Sequence, residues 1–165
     1  MSFVLGSKSR ANLVGVHPLL IKVVERAIQV STVDFQVFEG LRTRERQAKL
    51  VASGASQTMD SRHLPGKDQL GHAVDLVPMI DFDGDGRLDL RWDWPLCYKV
   101  ADAVRRASQE LNIPIRWGGV WDHTLADLAN DLDDETAGYV MRRKAQGKKA
   151  FLDGPHFELP VSLFP

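Results

Sequence analysis

Gly71-His-Ala-Val-Asp-Leu-Val-Pro78 has the apolar make-up of a buried strand, yet Asp75 stands near its middle. An ionised carboxylate flanked by Val74, Leu76 and Val77 is costly to bury unless a cation meets it. Strand side chains alternate between faces, so His72, three positions before Asp75, points to the opposite side. This segment therefore predicts a sheet with one face committed to a core and the other to a charge.

The flanks supply the rest of that core. Upstream, Pro18 suits a first helical turn, and Leu20, Val23, Val24, Ala27 and Ile28 follow at helical spacing. Phe35 to Glu39 predicts a short strand ended by Gly40. Thr43 is placed to cap a second helix that stops at Gly54. Residues 55–70 are polar and rich in turn formers, hence a loop. Downstream, Asp81 to Asp89 is an acidic turn with two glycines. Pro95 opens the clearest helix, with Leu96, Val100, Ala101, Val104, Ala107 and Leu111 on one stripe. Ile113 to Trp117 predicts a strand closed by Gly118 and Gly119. Residues 122–149 are charged and weakly helical, anchored by Leu125, Leu128, Leu132, Tyr139, Val140 and Met141. His156 to Leu159 is a last short strand. Helices and short strands mixed in this way define an α+β domain over residues 1–165, with a small, mainly antiparallel sheet flanked by helices.

Composition narrows the function. With 165 residues, 44% hydrophobic and 26% charged, the chain has the make-up of one soluble globular domain. A net charge of −1 gives no basic surplus for a nucleic-acid partner. No apolar run is long enough for a membrane helix, and the start is too short in apolar residues for a signal peptide. The expectation is synthesis in the cytoplasm, with any outside substrate reached by another agent. Cys97 is the one cysteine, which excludes an internal disulfide and places a buried thiol on an apolar helix.

A catalytic zinc takes three ligands from His, Asp, Glu or Cys and leaves a position for water. Of the five histidines, His17 borders a helix start and His123 lies in a polar segment. His63, His72 and His156 remain. The segments Ser61-Arg-His63, Gly71-His-Ala-Val-Asp75 and Asp153-Gly-Pro-His156 occur in that order. Together with Gly40-Leu-Arg-Thr43 and Trp117-Gly-Gly119, they resemble the VanY-like zinc D-alanyl-D-alanine peptidase superfamily. Within it, the resemblance is to phage endolysins that act as L-alanyl-D-glutamate peptidases.

The resemblance implies a Hedgehog/D-Ala-D-Ala peptidase-like fold, with His63, Asp75 and His156 as zinc ligands. It implies Asp153 as the catalytic acid/base and Arg42 as the cation that meets developing negative charge. His72 is the rival ligand, disfavoured by its strand face. Glu158 shares a strand face with His156 and could orient it. The substrate implied is bacterial peptidoglycan peptide, cut by a monomer made in the host cytoplasm. It would act at the periplasm or cell wall once a separate permeabilising protein releases it. The alternatives are a D-Ala-D-Ala carboxypeptidase or dipeptidase, and a non-catalytic zinc-containing wall-binding module.

Two departures from the family pattern stand out. Leu64 to Leu70 lengthens the gap between Ser-x-His and Gly-x-Ala-x-Asp, an insertion that costs little chain entropy. The segment from about 122 to 150 is also long, and could form a lid or cleft wall. Separately, Asp81, Asp83, Asp85 and Asp89 mimic the start of a calcium loop, although its twelfth position is Trp92 rather than an acid.

Overall fold

The structure is a computed structural model and describes residues 2–165. The chain runs α1 (Ser7–Asn12), α2 (Pro18–Val30), β1 (Asp34–Glu39), α3 (Arg44–Ala52), β2 (Ala73–Ile80) and β3 (Asp89–Leu90). It continues with α4 (Trp94–Leu111), β4 (Arg116–Trp117), β5 (Val120–Thr124), a 3-10 turn (Leu125–Asp127), α5 (Leu132–Ala145) and β6 (His156–Glu158). The six strands form one antiparallel sheet in the order β1-β2-β6-β4-β5, with β3 paired to the far end of β2.

Register sorts the sheet residues into two faces. Val37 sits opposite Leu76, Val74 opposite Phe157, and Phe157 opposite Trp117. All five are fully buried. They meet α2 through Leu20, Val23, Val24, Ala27 and Ile28, and α4 through Val100, Ala101, Val104 and Ala107, in one core. Fully burying one such aliphatic or aromatic side chain contributes about 1.5–3 kcal/mol, so this seam dominates the fold. The opposite face carries Asp75 opposite His156 and Arg116 opposite Glu158. Between Val37 and Glu39 the register shifts, so that Glu39 lies opposite Asp75. Simple alternation would have put Glu39 with Val37 in the core. The bulge turns its carboxylate onto the polar face instead.

The caps follow the sequence. His17 Nδ1 accepts from the Leu19 N–H at the start of α2, and Thr43 Oγ1 accepts from the Arg46 N–H at the start of α3. α4 ends at Asn112 in the left-handed conformation. Its buried stripe includes Cys97, whose thiol is raised to about 11 by burial, with Asp153 and Asp93 adding to the effect.

Some elements differ from expectation. α1 was not foreseen, because it works through polar groups. Ser9 Oγ accepts from the Val37 N–H, and Asn12 Nδ2 donates to the Val37 carbonyl, so α1 covers the outer edge of β1. The predicted strand 113–117 shortens to Arg116–Trp117, since the Ile113 N–H is still held by the Ser108 carbonyl and Pro114 has no N–H to give. The acidic turn ends in a strand, with Asp89 paired to Ile80. In α5 the buried positions are Leu132, Thr136 and Tyr139, while Val140 and Met141 are exposed, so these two are not anchors.

Candidate active site

The polar face of the sheet floors a cleft of about 970 Å³. α3 and the loop after it form one wall, and Asp122, Tyr139, Arg143 and Gln146 from the 122–150 segment line another. At its floor, Asp75 Oδ1 lies 3.3 Å from His63 Nε2 and 3.4 Å from His156 Nδ1. These three are one of the groups whose donor atoms all lie within 4.8 Å of one another. The structure thus brings His63 across the lengthened loop to the strand pair that presents Asp75 and His156.

Each imidazole is oriented by its other nitrogen. His63 Nδ1 is 2.7 Å from the Gly40 carbonyl, which can only accept, so the proton sits on Nδ1 and the Nε2 lone pair faces Asp75. Gly40 is itself required there, because a Cβ would lie 2.1 Å from the Asn12 carbonyl oxygen. His156 Nε2 is 2.8 Å from Glu158 Oε2, which leaves Nδ1 for the cluster. His63 Nε2 and Asp75 Oδ1 are buried and have no hydrogen-bond partner. Two orphaned donor atoms, facing each other beside a third, fit a metal ion, and the N2O set suits zinc.

Electrostatics agree with that reading. Burial would raise the Asp75 carboxyl, but His63 and His156 beside it hold it far below the usual range. Burial would depress His156, but the carboxylates of Asp75 and Glu158 beside it outweigh that and raise the imidazole.

Asp153 lies in the same cleft. Burial, reinforced by the charge of Asp75, raises its carboxyl above the ordinary value. Among the described residues no group donates to that carboxylate. Its backbone is pinned, with its N–H on the Gly118 carbonyl at 2.9 Å and its carbonyl accepting from the His156 N–H at 3.2 Å. A Cβ on Gly118 would lie 2.0 Å from the Asp153 carbonyl oxygen, so only glycine permits this approach. Trp117 Nε1 donates to the Gly154 carbonyl at 2.8 Å and fixes the turn between Asp153 and His156.

Arg42 is buried rather than displayed on the surface. Its guanidinium grips both Glu39 oxygens at 2.9 and 2.6 Å and Gln47 Oε1 at 2.8 Å, and Nη2 stands 3.7 Å from Asp75 Oδ2. Arg46 also reaches Glu39 at 2.6 Å, although its side chain is exposed. Burial would raise Glu39, but these two guanidinium groups hold it below the usual range.

His72 faces away from Asp75, as its strand position requires. Its Nε2 is 2.9 Å from Asp68 Oδ2 in the lengthened loop, and with His17 these residues form a second group of close donor atoms. There the His17 Nδ1 lone pair is already taken by the helix cap, which places its proton on Nε2. His123 is exposed beside Asp122.

In the acidic turn, Asp81, Asp83 and Asp85 have carboxylates within 4.8 Å of one another, while Asp89 is not in that group. Asp81 accepts from the Gly84 and Gly86 N–H groups. Asp93 is occupied by Arg91.

Trp121 and Arg116 are among the cleft residues missed from sequence. Trp121 sets its ring 5.2 Å from that of His156 and stacks on Phe151. Arg116 lies over Trp121, 5.0 Å from the ring centre. For Arg116 the signal was strand parity beside Glu158, which becomes usable only once the β4–β6 register is known.

A His-Asp-His group beside an unpaired carboxylate, at the bottom of one cleft, is compatible with a metal-dependent peptide hydrolase. The comparisons with known proteins are specific. The family model for phage L-alanyl-D-glutamate peptidase matches residues 1–160. The chain is 32% identical over 162 residues to the L-alanyl-D-glutamate peptidase of Escherichia phage T5, covering 96% of this chain and 99% of that protein. It is 33% identical over 89 residues to the corresponding peptidase of Listeria phage A118, covering 54% of this chain and 27% of that protein. The crystal structure of Serratia marcescens L-Ala D-Glu endopeptidase ChiX matches with a TM-score of 0.70 at 35% identity, covering 99% of this chain and 95% of that one. The chain belongs to the phage L-alanyl-D-glutamate peptidase family, and it is a peptidase.

Proposed function

We propose that this chain hydrolyses the L-alanyl-D-glutamyl bond of bacterial peptidoglycan stem peptides, using zinc held by His63, Asp75 and His156. The observation that carries the metal assignment is the pair of buried, unpartnered atoms His63 Nε2 and Asp75 Oδ1, with His156 Nδ1 beside them. Zinc bound in such a set lowers the pKa of water and polarises a carbonyl.

The remaining work falls to the protein's own residues. Asp153 takes the proton of the attacking water and returns it to the departing amine. Its raised carboxyl, free of protein donors, is suited to both halves of that transfer. Arg42, held still by Glu39 and Gln47, offers a cation that needs no reorganisation when negative charge develops on the substrate oxygen. Glu158 fixes the His156 ring through Nε2. The 122–150 segment serves as a wall of the cleft. The acidic turn is a solvent-exposed loop first, and any calcium there would fall to Asp81, Asp83 and Asp85, since Asp89 lies outside their group.

Among the described residues no helix is long and apolar enough to cross a membrane. The protein is proposed to act as a monomer on the wall from the inside, after a separate permeabilising protein admits it.

Mass spectrometry of fragments released from purified peptidoglycan tests the reading. New L-alanine carboxyl ends and D-glutamyl amino ends, lost with a chelator and restored by zinc, are expected. Release of a terminal D-alanine instead would mark a carboxypeptidase. Unchanged release in chelator would overturn the metal assignment.

A further inference from the structure

Five arginines line the cleft, and three of them make hydrogen bonds of 3.0 Å or shorter. Arg42 and Arg46 bind Glu39, and Arg62 donates to the Leu159 and Phe164 carbonyls. Arg143 touches no carboxylate among the described residues and makes one long bond, 3.4 Å, to the Lys149 carbonyl. The Arg116 side chain makes no hydrogen bond among the described residues. Its one acidic neighbour is Glu158 Oε1, a long ion pair at 3.7 Å that is too far for a hydrogen bond, and its Nε is buried without a hydrogen-bond partner.

Arg116 is nevertheless held in place. Its guanidinium lies over the Trp121 ring, and Trp121 is fixed by its own Nε1 bond to the Phe151 carbonyl at 2.9 Å. Its cross-strand neighbour Glu158 is the residue bonded to His156. A positioned cation with unused donors therefore stands one residue removed from the His-Asp-His group. A guanidinium fork matches a carboxylate in shape and charge.

The proposed substrate supplies such a group. The D-glutamyl residue gives its amine to the bond that is cut, and the chain beyond it uses one of its two carboxyl groups. The other stays free and ionised at neutral pH, next to the scissile bond. We infer that Arg116 binds this free carboxylate of the D-glutamyl residue and makes the enzyme selective for glutamate over its uncharged amide. This inference rests on the proposed function.

The test uses paired L-Ala-D-Glu peptides that differ only in whether the free carboxyl is a carboxylate or a carboxamide. The wild-type protein should cleave the carboxylate form with a kcat/KM higher by about 10- to 100-fold, the scale of one hydrogen bond to a charged group. Arg116→Gln should erase the preference by slowing the carboxylate form alone. Metal content and melting temperature are read alongside. Arg116→Lys, which keeps the charge but not the fork, should retain part of the preference and serves if the glutamine variant does not fold. A merely structural arginine would slow both peptides equally, and that result would overturn the inference. So would a preference abolished by Arg143→Gln but untouched by Arg116→Gln. Cleavage of both peptides at equal rates by the wild type refutes the role of Arg116 alone. Cleavage of neither overturns the proposed bond as well.

Discussion

Replacing Asp153 by Asn separates chemistry from architecture. The backbone of this residue is held by Gly118 and by the His156 N–H, and its carboxylate accepts from no protein group, so an amide of equal size leaves every native hydrogen bond in place. The amide cannot take a proton from water, and general base catalysis typically contributes ~10²–10⁴-fold, so turnover should fall by about that factor. Bound zinc should be unchanged. Stability should move the other way. Burial and Asp75 raise the Asp153 carboxyl in the folded protein, so its ionised form opposes folding. That penalty is absent below the unfolded-state pKa, near ~3.9, and grows as pH rises through the folded value. In chelator, the Asn variant should therefore melt above wild type at pH 7, and the two curves should converge toward acid. Peptide release, metal analysis and calorimetry on the same preparations check all three. Near-normal activity in the Asn variant would show that Asp153 is a turn residue, and a lower melting point at pH 7 would refute the electrostatic argument.

His63→Ala should lose the metal, from about one zinc per wild-type chain, while His72→Ala should keep it, as metal analysis would show. Arg42→Ala should retain zinc, turn over slowly, and melt lower, because Glu39 loses one of its two guanidinium partners in a largely buried position. Gly118→Ala forces a Cβ onto the Asp153 carbonyl. Overpacking of this kind costs about 1–3 kcal/mol or more, and each kcal/mol should lower the melting temperature by roughly 2–4 °C. Peptide release should fall with it, since Asp153 is displaced. If the acidic turn binds calcium, millimolar calcium should raise the melting temperature of wild type and not of Asp83→Ala; titration calorimetry without heat would dismiss the site.

Most of the fold was legible because its core elements obey simple periods. The stripe of α2 and the alternation around Asp75 each follow from one rule applied to one segment. Asp75 and His72 could be sent to opposite faces by parity alone. What escaped depends on pairing between distant segments. Glu39 reaches the polar face only through the bulge after Val37, and no local pattern announces a bulge. α1 holds the edge of β1 with Ser9 and Asn12, residues that a search for apolar stripes passes over. Val140 and Met141 were misplaced because a weakly amphipathic helix gives little basis for choosing among its apolar residues. At the candidate site, the donor residues were named through a family resemblance, whereas Arg116 emerges only from the β4–β6 register and Trp121 only from its contact with His156.

The position of β6 also has a consequence for how the molecule comes into being. β1 and β2 can pair as soon as both have been synthesised, but the other edge of β2 along Ala73 to Asp75 is covered only by β6. Roughly 75 residues separate the end of β2 from His156, and translation at about 5–20 residues per second makes that an interval of about 4–15 s. During it, an apolar strand has one edge unpaired and the donor cluster lacks a member. The growing chain thus carries an unpaired apolar edge and an incomplete site together, and a single late event, the arrival of three residues, closes both.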